Sequence, residues 1–552
     1  MQLCCRCGEK VSNRRVDLNF TSQYEKLRAE SGPISAEPQQ VNLILESLEQ
    51  DLKDVEREIV SSHRSCILEY ANKLRCLLSP IRKIPNEILQ VIFDICCYTN
   101  HFLLAKPSAT DTPNSRYKPA MVLSSVCSRW RRNAFALPKI WSRLSLEWEW
   151  YEEGLDSVDA KVLALQEKLS SLLSNFFRRS LDHPMIIYLA FQASPLLQNN
   201  SFHPILELVA EQTYRWQKVS FYSEWCDLKD FFAHNSDPLR FPLLEDIRFS
   251  LDQCELEFFV DRTPKLTALR LPFSAGWPEN YDFRQIRHLE QSPYRIDLVK
   301  SFEILPNLVS LVVAECYEGG SPTLDWICSP FSPLRNLTVR HGGISKVYLE
   351  PGYSVFPFFN FPSLEKLHLE PIQWFERPQS FWFNFDPLME FVRRSSFFLT
   401  TLSIKSLALS DSNLVHLLHH VPNLRRLAVL DTYIEYQYSP ITERPIESLR
   451  PSQTSQLRLQ AEPIVPRLHS LILKTRAPVF RDRVVVDMVC SRWARPTTSS
   501  ANSGSTGARV PAVDCLREFT LRFYNRKDPG AGYEPLQLIE KDGMRAVVSW
   551  MK

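Results

Sequence analysis

One short phrase recurs through the second half of this chain: proline, any residue, leucine, two residues, an apolar residue, any residue and a second apolar residue. Clear copies begin at Pro242, Pro264, Pro306, Pro362, Pro422 and Pro466. Looser copies without the proline contain Val219, Leu289, Leu337, Leu402 and Phe519. A chain with this much internal repetition has to build a large part of its fold from similar units.

Each phrase ends in alternating apolar residues, which predicts a short strand. Helical patterns lie between the copies, for example at 414–421 and 485–489. The leading apolar positions 244, 266, 286, 308, 334 and 364 are 20 to 30 residues apart, and later gaps are wider. A strand and a helix at this period are typical of leucine-rich repeats. Residues 210–552 therefore resemble an irregular leucine-rich-repeat solenoid, with an ordinary α/β core of proline-started strands as the alternative.

The segment after Ile84 has a different pattern, that of a helix with too many apolar sides. Pro85 suits the first helical position. Around the predicted helix, Glu87, Gln90 and Asp94 fall within about 60° of one another at 3.6 residues per turn, and all other residues from 88 to 97 are apolar. The apolar arc of about 240° is much wider than the stripe of an ordinary surface helix. This helix has to be covered on two sides.

A second helix is expected from Met121 to Ala136, followed by an apolar cluster that includes Ile140 and Trp141. Three short helices in about 66 residues form a marginal core. Apolar surface left over from such a core indicates a protein partner. An amphipathic helical linker is the alternative.

The residues of this segment match a known family. Ile84-Pro85-x-Glu-Ile88-Leu89-x-x-Ile92-Phe93, then Val126-Cys127-x-x-Trp130-Arg, then Pro-x-Ile-Trp resembles an F-box. The version with a spacer between its helices, preceded by a coiled-coil-like helix, is similar to the large F-box families of mushroom-forming fungi. Two departures are Ile84 and Ile140, where the family usually has leucine.

This resemblance implies binding to the Skp-type adaptor of a cullin-based (SCF) ubiquitin ligase, with the repeats holding a target protein. It implies no catalysis by this chain and no cofactor. The alternative is a leucine-rich-repeat scaffold that acts without a ligase. The residues that the family motif assigns to adaptor binding are Ile84, Pro85, Ile88, Leu89, Ile92, Phe93, Val126, Cys127 and Trp130.

The remaining segments complete the expected order. Residues 1–39 read as a flexible tail, in which Cys4 and Cys7 form at most half of a zinc site. Residues 40–79 predict one amphipathic, coiled-coil-like helix, which either self-associates or packs on its own domain. Residues 80–145 form the three-helix F-box domain, and 146–209 form a connecting helical segment. The predicted class is therefore α+β or α/β.

Composition limits the remaining functions. A net charge of +2 favours neither nucleic acid nor an anionic membrane. The chain has only 14 glycines, which is few for phosphate-binding loops. It contains none of the common catalytic motifs, so the sequence gives little basis for an enzyme. His416 and His420 have a helical metal-ligand spacing but lack a third ligand nearby, so no metal is expected. Without an apolar leader, the dispersed cysteines predict a cytoplasmic or nuclear protein.

Overall fold

The structure is a computed structural model. It describes residues 2–3, 10–11, 38–55, 61–105, 118–149, 160–191, 204–223, 239–249, 256, 259, 261–271, 277, 282–291, 298–315, 329–341, 354–372, 385–432, 434, 438–451, 463–476, 481–493, 513–524, 526 and 531–551. The chain divides into two compact units. Unit 1 comprises Met1–Leu244 with Arg262–Pro264, and unit 2 comprises Glu245–Asp261 with Lys265–Lys552.

The elements of unit 1 alternate between helices and strands. Its strands are β1 (Gln2–Leu3), β2 (Lys10–Val11), β3 (Asn100–Ala105), β4 (Arg143–Glu149), β5 (Met185–Phe191) and β6 (Trp216–Ser223). Its helices are α1 (Pro38–Val55), α2 (Ser61–Leu78), α3 (Asn86–Cys96), α4 (Pro119–Val126), α5 (Ser128–Phe135), α6 (Ala160–Ser180) and α7 (Pro204–Ala210). Short 3-10 turns cover Pro80–Lys83, Pro138–Ile140 and Thr213–Arg215.

Four of these strands, β3 to β6, pair in parallel and in chain order. Two of these strands lie where the sequence analysis expects none. Strand β3 lies in the spacer of segment 80–145, and β5 lies in segment 146–209, which was expected to be helical. Parallel strands therefore begin about a hundred residues before position 210. A short antiparallel pair also joins β1 to β2 inside the expected flexible tail. Cys4 and Cys7 lie outside the described residues.

Segment 40–79 forms two helices, whereas the sequence pattern predicts one. The stripe of Leu45 and Leu48 in α1 packs against Ile67, Ala71 and Leu74 of α2, and all five side chains are buried. The spacing of 3 and 4 residues that resembles a coiled-coil seam therefore meets a second helix of the same chain. This arrangement agrees with the alternative in which the segment packs on its own domain.

Trp141 lies at the centre of the core of segment 80–145 and its neighbours. Its ring is fully buried and lies 5.0 Å from the ring of Phe176 on α6. Its indole Nε1 donates a hydrogen bond to the carbonyl of Ala134 at 2.8 Å. The Asn100 amide donates to the carbonyl of Ile140 at 2.8 Å and fixes the start of β3. These contacts hold α5, α6 and the sheet together around one aromatic side chain.

Unit 2 consists of parallel strands and intervening short helices. Its strands are β7 (Asp246–Phe249), β8 (Ala268–Leu271), β9 (His288–Gln291), β10 (Ser310–Glu315), β11 (Asn336–His341), β12 (Lys366–Pro371), β13 (Thr401–Lys405), β14 (Arg426–Leu430), β15 (Ser470–Thr475), β16 (Glu518–Tyr524) and β17 (Arg545–Met551). Its helices are α8 (Leu298–Ile304), α9 (Phe385–Ser395), α10 (Asp411–His419), α11 (Glu443–Ser448), α12 (Asp482–Arg492) and α13 (Glu534–Lys541). Further 3-10 turns cover Phe356–Phe358 and Ala531–Tyr533.

The recurring phrase explains how these strands stack. The first apolar residue of each phrase pairs with the same position of the next, as in the ladder Leu337, Leu367, Leu402, Leu427 and Leu471. All five side chains are buried to 1% exposure or less. Burial of one such side chain contributes about 1.5–3 kcal/mol. The prediction of a strand in every copy is confirmed, and β17 adds a strand that the phrase does not mark.

The fold class is therefore α/β. Among the described residues, β3 to β6 in unit 1 and β7 to β17 in unit 2 are parallel to their sheet neighbours within each unit, follow chain order and alternate with helices. This pattern is consistent with a leucine-rich-repeat-like solenoid. No helix in the described ranges is both long and apolar enough for a bilayer crossing.

Candidate functional site

Helix α3 is the most unusual surface element of unit 1. Proline at position 85 precedes the helix in an extended conformation, and its ring allows no helical hydrogen bond from that position. Glu87 lies in the first turn, where the helix dipole favours an acid. The helix ends at Cys97, whose N–H donates to the carbonyl of Phe93 at 2.9 Å.

One side of α3 belongs to the core. Leu89 and Phe93 are both 0% exposed. The ring of Phe93 meets that of Trp130 on α5 edge to face, with centroids 5.1 Å apart. Cys97 is also buried, and burial raises the pKa of its thiol to about 12. This side of the helix is an ordinary apolar contact in which the thiol stays neutral.

The polar side of α3 also faces other elements of unit 1. Asn86 Oδ1 accepts hydrogen bonds from Nε and Nη2 of Arg129, at 3.0 and 2.8 Å. Gln90 Nε2 donates to Asn133 Oδ1 at 3.3 Å. Asp94 forms ion pairs with Arg143 and Lys139. Three of the polar side chains of the helix are therefore used for attachment.

Arg129 connects this polar side to the turn that precedes the helix. Its side chain is buried, and its guanidinium also donates to the carbonyls of Arg82 and Ile84. Five N–H donors in one plane allow a single arginine to hold several acceptors at once. The turn at Pro80–Lys83 and the first residues of α3 are thereby fixed against α5.

The third side of α3 is apolar and faces solvent. Ile88 is 51% exposed, Val91 55% and Ile95 71%, while Ile92 is half-buried. At 100° per residue these four side chains fall within about 100° of one another. With its polar side used for attachment, the helix leaves an apolar stripe uncovered, which is the reverse of the usual arrangement of a surface helix.

Helix α4 contacts α3 and adds to this exposed apolar surface. Val122 is 45% exposed and Val126 is 55% exposed, one turn apart on the same side of α4. We name Ile88, Val91, Ile95, Val122 and Val126 the apolar face. Five large aliphatic side chains exposed on two adjoining helices form the kind of surface that is typical of protein contacts.

The second helix expected from 121 to 136 is divided in two. Cys127 adopts an extended conformation between α4 and α5, and its Sγ accepts a hydrogen bond from the N–H of Trp130 at 3.5 Å. Arg131 Nε donates to the carbonyl of Ser124 at the end of α4. In segment 80–145, α4 and α5 thus take the place of one expected helix, and the segment also contains β3 and the start of β4.

The structure separates the nine residues of the sequence prediction into three groups. Pro85, Ile88 and Val126 are exposed, whereas Ile84, Ile92, Cys127 and Trp130 are half-buried. Leu89 and Phe93 are fully buried on the core side of α3. Their side chains are therefore not accessible to a partner in this conformation. Sequence analysis missed Val91, Ile95 and Val122 as site residues, because the family motif does not specify them, although Val91 and Ile95 lie in the apolar arc of the helical wheel.

The electrostatics of the site centre on Asp94. Burial raises the pKa of this carboxyl group, but the hydrogen bond from Lys139 and the positive charges of Arg143 and Lys139 outweigh burial and hold the pKa below its usual range. The carboxylate is therefore ionised at neutral pH. It serves as a fixed anchor for two cations of the same unit.

His416 on α10 and His420, which follows the helix, lie next to each other. The rings of His416 and His420 have centroids 4.9 Å apart, and Nδ1 of His420 lies 3.0 Å from the carbonyl oxygen of His416. Over the residues that the structure describes, no group of three or more His, Cys, Asp or Glu side chains has a geometry that could hold a metal ion.

Comparison with known proteins adds no assignment. No model of a known protein family matches the chain, and no curated protein matches it significantly. The functional argument therefore depends on the geometry of the apolar face and on the sequence motif that surrounds it.

Proposed function

We propose that this chain is an F-box-type substrate receptor of an SCF ubiquitin ligase. In this proposal the apolar face binds the Skp-type adaptor, and the repeats of unit 2 hold a target protein. The chain performs no chemistry of its own. It raises the effective concentration of the target near the activated ubiquitin that other subunits supply.

The apolar face is the observation that carries the proposal. Moving an isoleucine or valine from water into an interface contributes about 1.5–3 kcal/mol when its burial is complete. The five aliphatic residues of this face are each 45% to 71% exposed. Apolar residues on an ordinary protein surface are exposed singly and at scattered positions. Together with the buried support from Leu89 and Phe93, the five residues form a firm and preorganised contact surface.

The sequence motif supports the identity of the partner. Ile84-Pro85 before the helix, Val126-Cys127-x-x-Trp130 at the junction of α4 and α5, and Ile140-Trp141 after them occur in the order of an F-box. Each part has a physical role in the structure. Pro85 sets the start of α3, Cys127 begins α5, and Trp141 fills the core.

The test is co-purification of the full chain with a Skp-type adaptor. Changing both Ile88→Asp and Ile95→Asp places two charges on the apolar face, and we expect binding to fall by a factor of a hundred or more, because each buried unpaired charge costs several kcal/mol. Both positions are exposed, so the fold stays intact, which circular dichroism and a melting curve check. A charge at Ile84 is a poorer test because this side chain is half-buried, so the substitution also disturbs packing within the chain.

The matched control carries Leu43→Asp on α1 and Leu538→Asp on α13. Both leucines are about as exposed as Ile88 and Ile95, at 64% and 65%, and both lie outside the apolar face. The control is expected to bind the adaptor as the unaltered chain does. If the Ile88 and Ile95 variant also binds unchanged, the ligase assignment fails and the scaffold alternative is favoured.

A further inference from the structure

The outward face of the parallel strands in unit 2 carries rows of side chains in register. One row consists of Arg340, Glu370, Lys405, Leu430, Lys474 and Arg522, on β11 to β16. Neighbouring strands lie about 4.8 Å apart, so adjacent members of the row are within reach of each other. Charge along this row therefore determines what the face attracts.

The first half of the row is neutralised within the chain. Arg340 forms ion pairs with Glu290 at 2.5 Å and with Glu370 at 3.0 Å. Glu370 also pairs with Lys405 at 2.7 Å. Because cations and anions alternate here, opposite charges meet across the strands, which is the favourable arrangement in a sheet.

The second half of the row breaks this alternation. Lys474 and Arg522 occupy directly opposite positions on β15 and β16. Like charges in this arrangement destabilise a sheet. Among the described residues neither side chain forms a salt bridge, and the Nε of Arg522 is buried with no hydrogen-bond partner. Arg476, two residues beyond Lys474, is exposed and adds a third cation. We name Lys474, Arg476 and Arg522 the cationic cluster.

The row beside the cluster leaves room for a bound chain. Its members are small or branched at Cβ, are half-buried, and lie at the middle outward positions of β14 to β16. They are Ala428, Ile472 and Thr520. Short side chains between longer ones form a shallow strip along the sheet. A peptide in extended conformation can lie on such a strip with its side chains directed at the cations.

We propose that the cationic cluster and this strip bind an extended acidic segment of a protein, with Asp or Glu carboxylates paired to Lys474 and Arg522. That the bound protein is a ubiquitination target rests on the proposed function. Charge complementarity supports the occupant, since an incoming carboxylate relieves the repulsion between the two cations. A polynucleotide fits less well because Glu290 and Glu370 lie on the same face and the chain has almost no net charge.

The test uses the full chain and a short fluorescent peptide of alternating glutamate and alanine, with the matching lysine and alanine peptide as its counterpart. We expect the unaltered chain to bind the acidic peptide and not the basic one, with affinity that falls as salt is added. Changing both Lys474→Glu and Arg522→Glu is expected to weaken binding of the acidic peptide at least tenfold, because two attractive charges become repulsive.

The matched control changes Arg444→Glu and Arg483→Glu, which are exposed on α11 and α12 and alter the net charge by the same amount. It is expected to bind within twofold of the unaltered chain. Equal loss in both double variants, or no binding by the unaltered chain, overturns the proposal. Preference for a single-stranded oligonucleotide over the acidic peptide overturns it as well.

The two proposals fail in different measurements. The Ile88→Asp and Ile95→Asp variant is expected to bind the acidic peptide normally, since its changes lie in unit 1. The Lys474→Glu and Arg522→Glu variant is expected to keep its adaptor. If the chain binds the acidic peptide but no adaptor, the ligase proposal fails and the proposal of an acidic-segment site stands.

Discussion

The carboxylate of Asp94 lies 2.8 Å from Nη2 of Arg143, and this ion pair is one of the polar contacts that set the rotation of helix α3. Lys139 approaches the second carboxylate oxygen at 2.7 Å. Both cations lie C-terminal to α5, so the polar side of α3 is held against its own unit. The opposite side, with Ile88 and Ile95, is thereby kept in solvent. Exposure of the apolar face is therefore a result of specific polar contacts.

The first prediction concerns Asp94→Asn. Neutralising this side chain removes two ion pairs that are about one-third exposed, and partly exposed pairs are worth up to about 1 kcal/mol each. We expect the free energy of unfolding at neutral pH to fall by roughly 1 kcal/mol, as measured by chemical denaturation. Adaptor binding should weaken only slightly, because α3 keeps its buried contacts.

The pH dependence gives this prediction its sharper form. The pKa of Asp94 is lower in the folded chain than its ordinary value of 3.8. Its stabilisation is therefore complete above the ordinary pKa and is lost as the pH falls through the folded-state pKa. The difference in stability between the unaltered chain and Asp94→Asn should disappear at acidic pH. A difference that stays constant with pH would contradict the ion-pair explanation.

The sequence predicts the repeat strands well because two features agree in them. Leucine and other apolar residues alternate with polar ones, and a proline or a turn precedes most of them, as at Leu367 and Leu369 after Pro362. In β5 this contrast is missing. Ile186 and Tyr188 are outward-facing apolar residues that alternate with buried Met185, Ile187 and Leu189. The strand therefore reads as a continuous apolar run that fits a helix equally well.

The candidate site is predicted only in part for a similar reason. A helical wheel shows that the apolar arc of α3 is too wide for an ordinary surface helix. It does not show which apolar residues, for example Leu89 or Ile95, are buried. Which of them is buried depends on polar contacts of α3 with residues such as Arg129 and Arg143, 40 to 50 residues later in the chain. Contacts over such a distance are not visible in a local pattern. The uncovered side of a helix therefore has to come from the structure.

The second prediction separates the core of α3 from its surface. Phe93→Ala removes a fully buried ring that contacts Trp130, and we expect the free energy of unfolding to fall by about 3–5 kcal/mol. Ile95→Ala at a position that is 71% exposed should change it by no more than about 0.5 kcal/mol. Denaturant titration of both variants measures this contrast. Similar losses in the two would mean that Ile95 is covered within the chain.

The third prediction concerns Arg492, whose side chain is 2% exposed. Its guanidinium donates to the carbonyls of Leu449, Ile464 and Val465, and burial lowers its pKa to about 10. Arg492→Lys keeps the charge but cannot reach all three acceptors with one ammonium group. We expect a loss of about 2–3 kcal/mol in thermal or chemical unfolding, since unsatisfied buried acceptors cost about 1–3 kcal/mol each.

Arg483→Lys on the same helix is the control for this change. Arg483 is 90% exposed and has one long contact with Asp487, so its replacement should be neutral within about 0.5 kcal/mol. Equal stability of the Arg492 and Arg483 variants would show that the three carbonyls find other donors.

The fourth prediction concerns Asp431, a buried carboxylate at the end of β14. It accepts hydrogen bonds from the hydroxyl groups of Ser439 and Thr475 and from the N–H of Arg476. Asp431→Ala leaves these three donors without an acceptor, which should cost about 3 kcal/mol or more. Asp431→Asn keeps one carbonyl acceptor, and we expect it to cost about half as much, measured by denaturant titration.

The pH dependence of Asp431 should have the opposite sign to that of Asp94. Burial raises the pKa of Asp431 above its ordinary value of 3.8, and the three hydrogen bonds offset this only in part. Protonation therefore favours the folded state, and this contribution is complete below the ordinary pKa and lost as the pH rises through the folded-state pKa. The unaltered chain should gain stability relative to Asp431→Asn as the pH falls from neutral towards 3.8. A relative loss over that interval would mean that the hydrogen bonds outweigh burial and that the carboxylate is the favoured form in the fold.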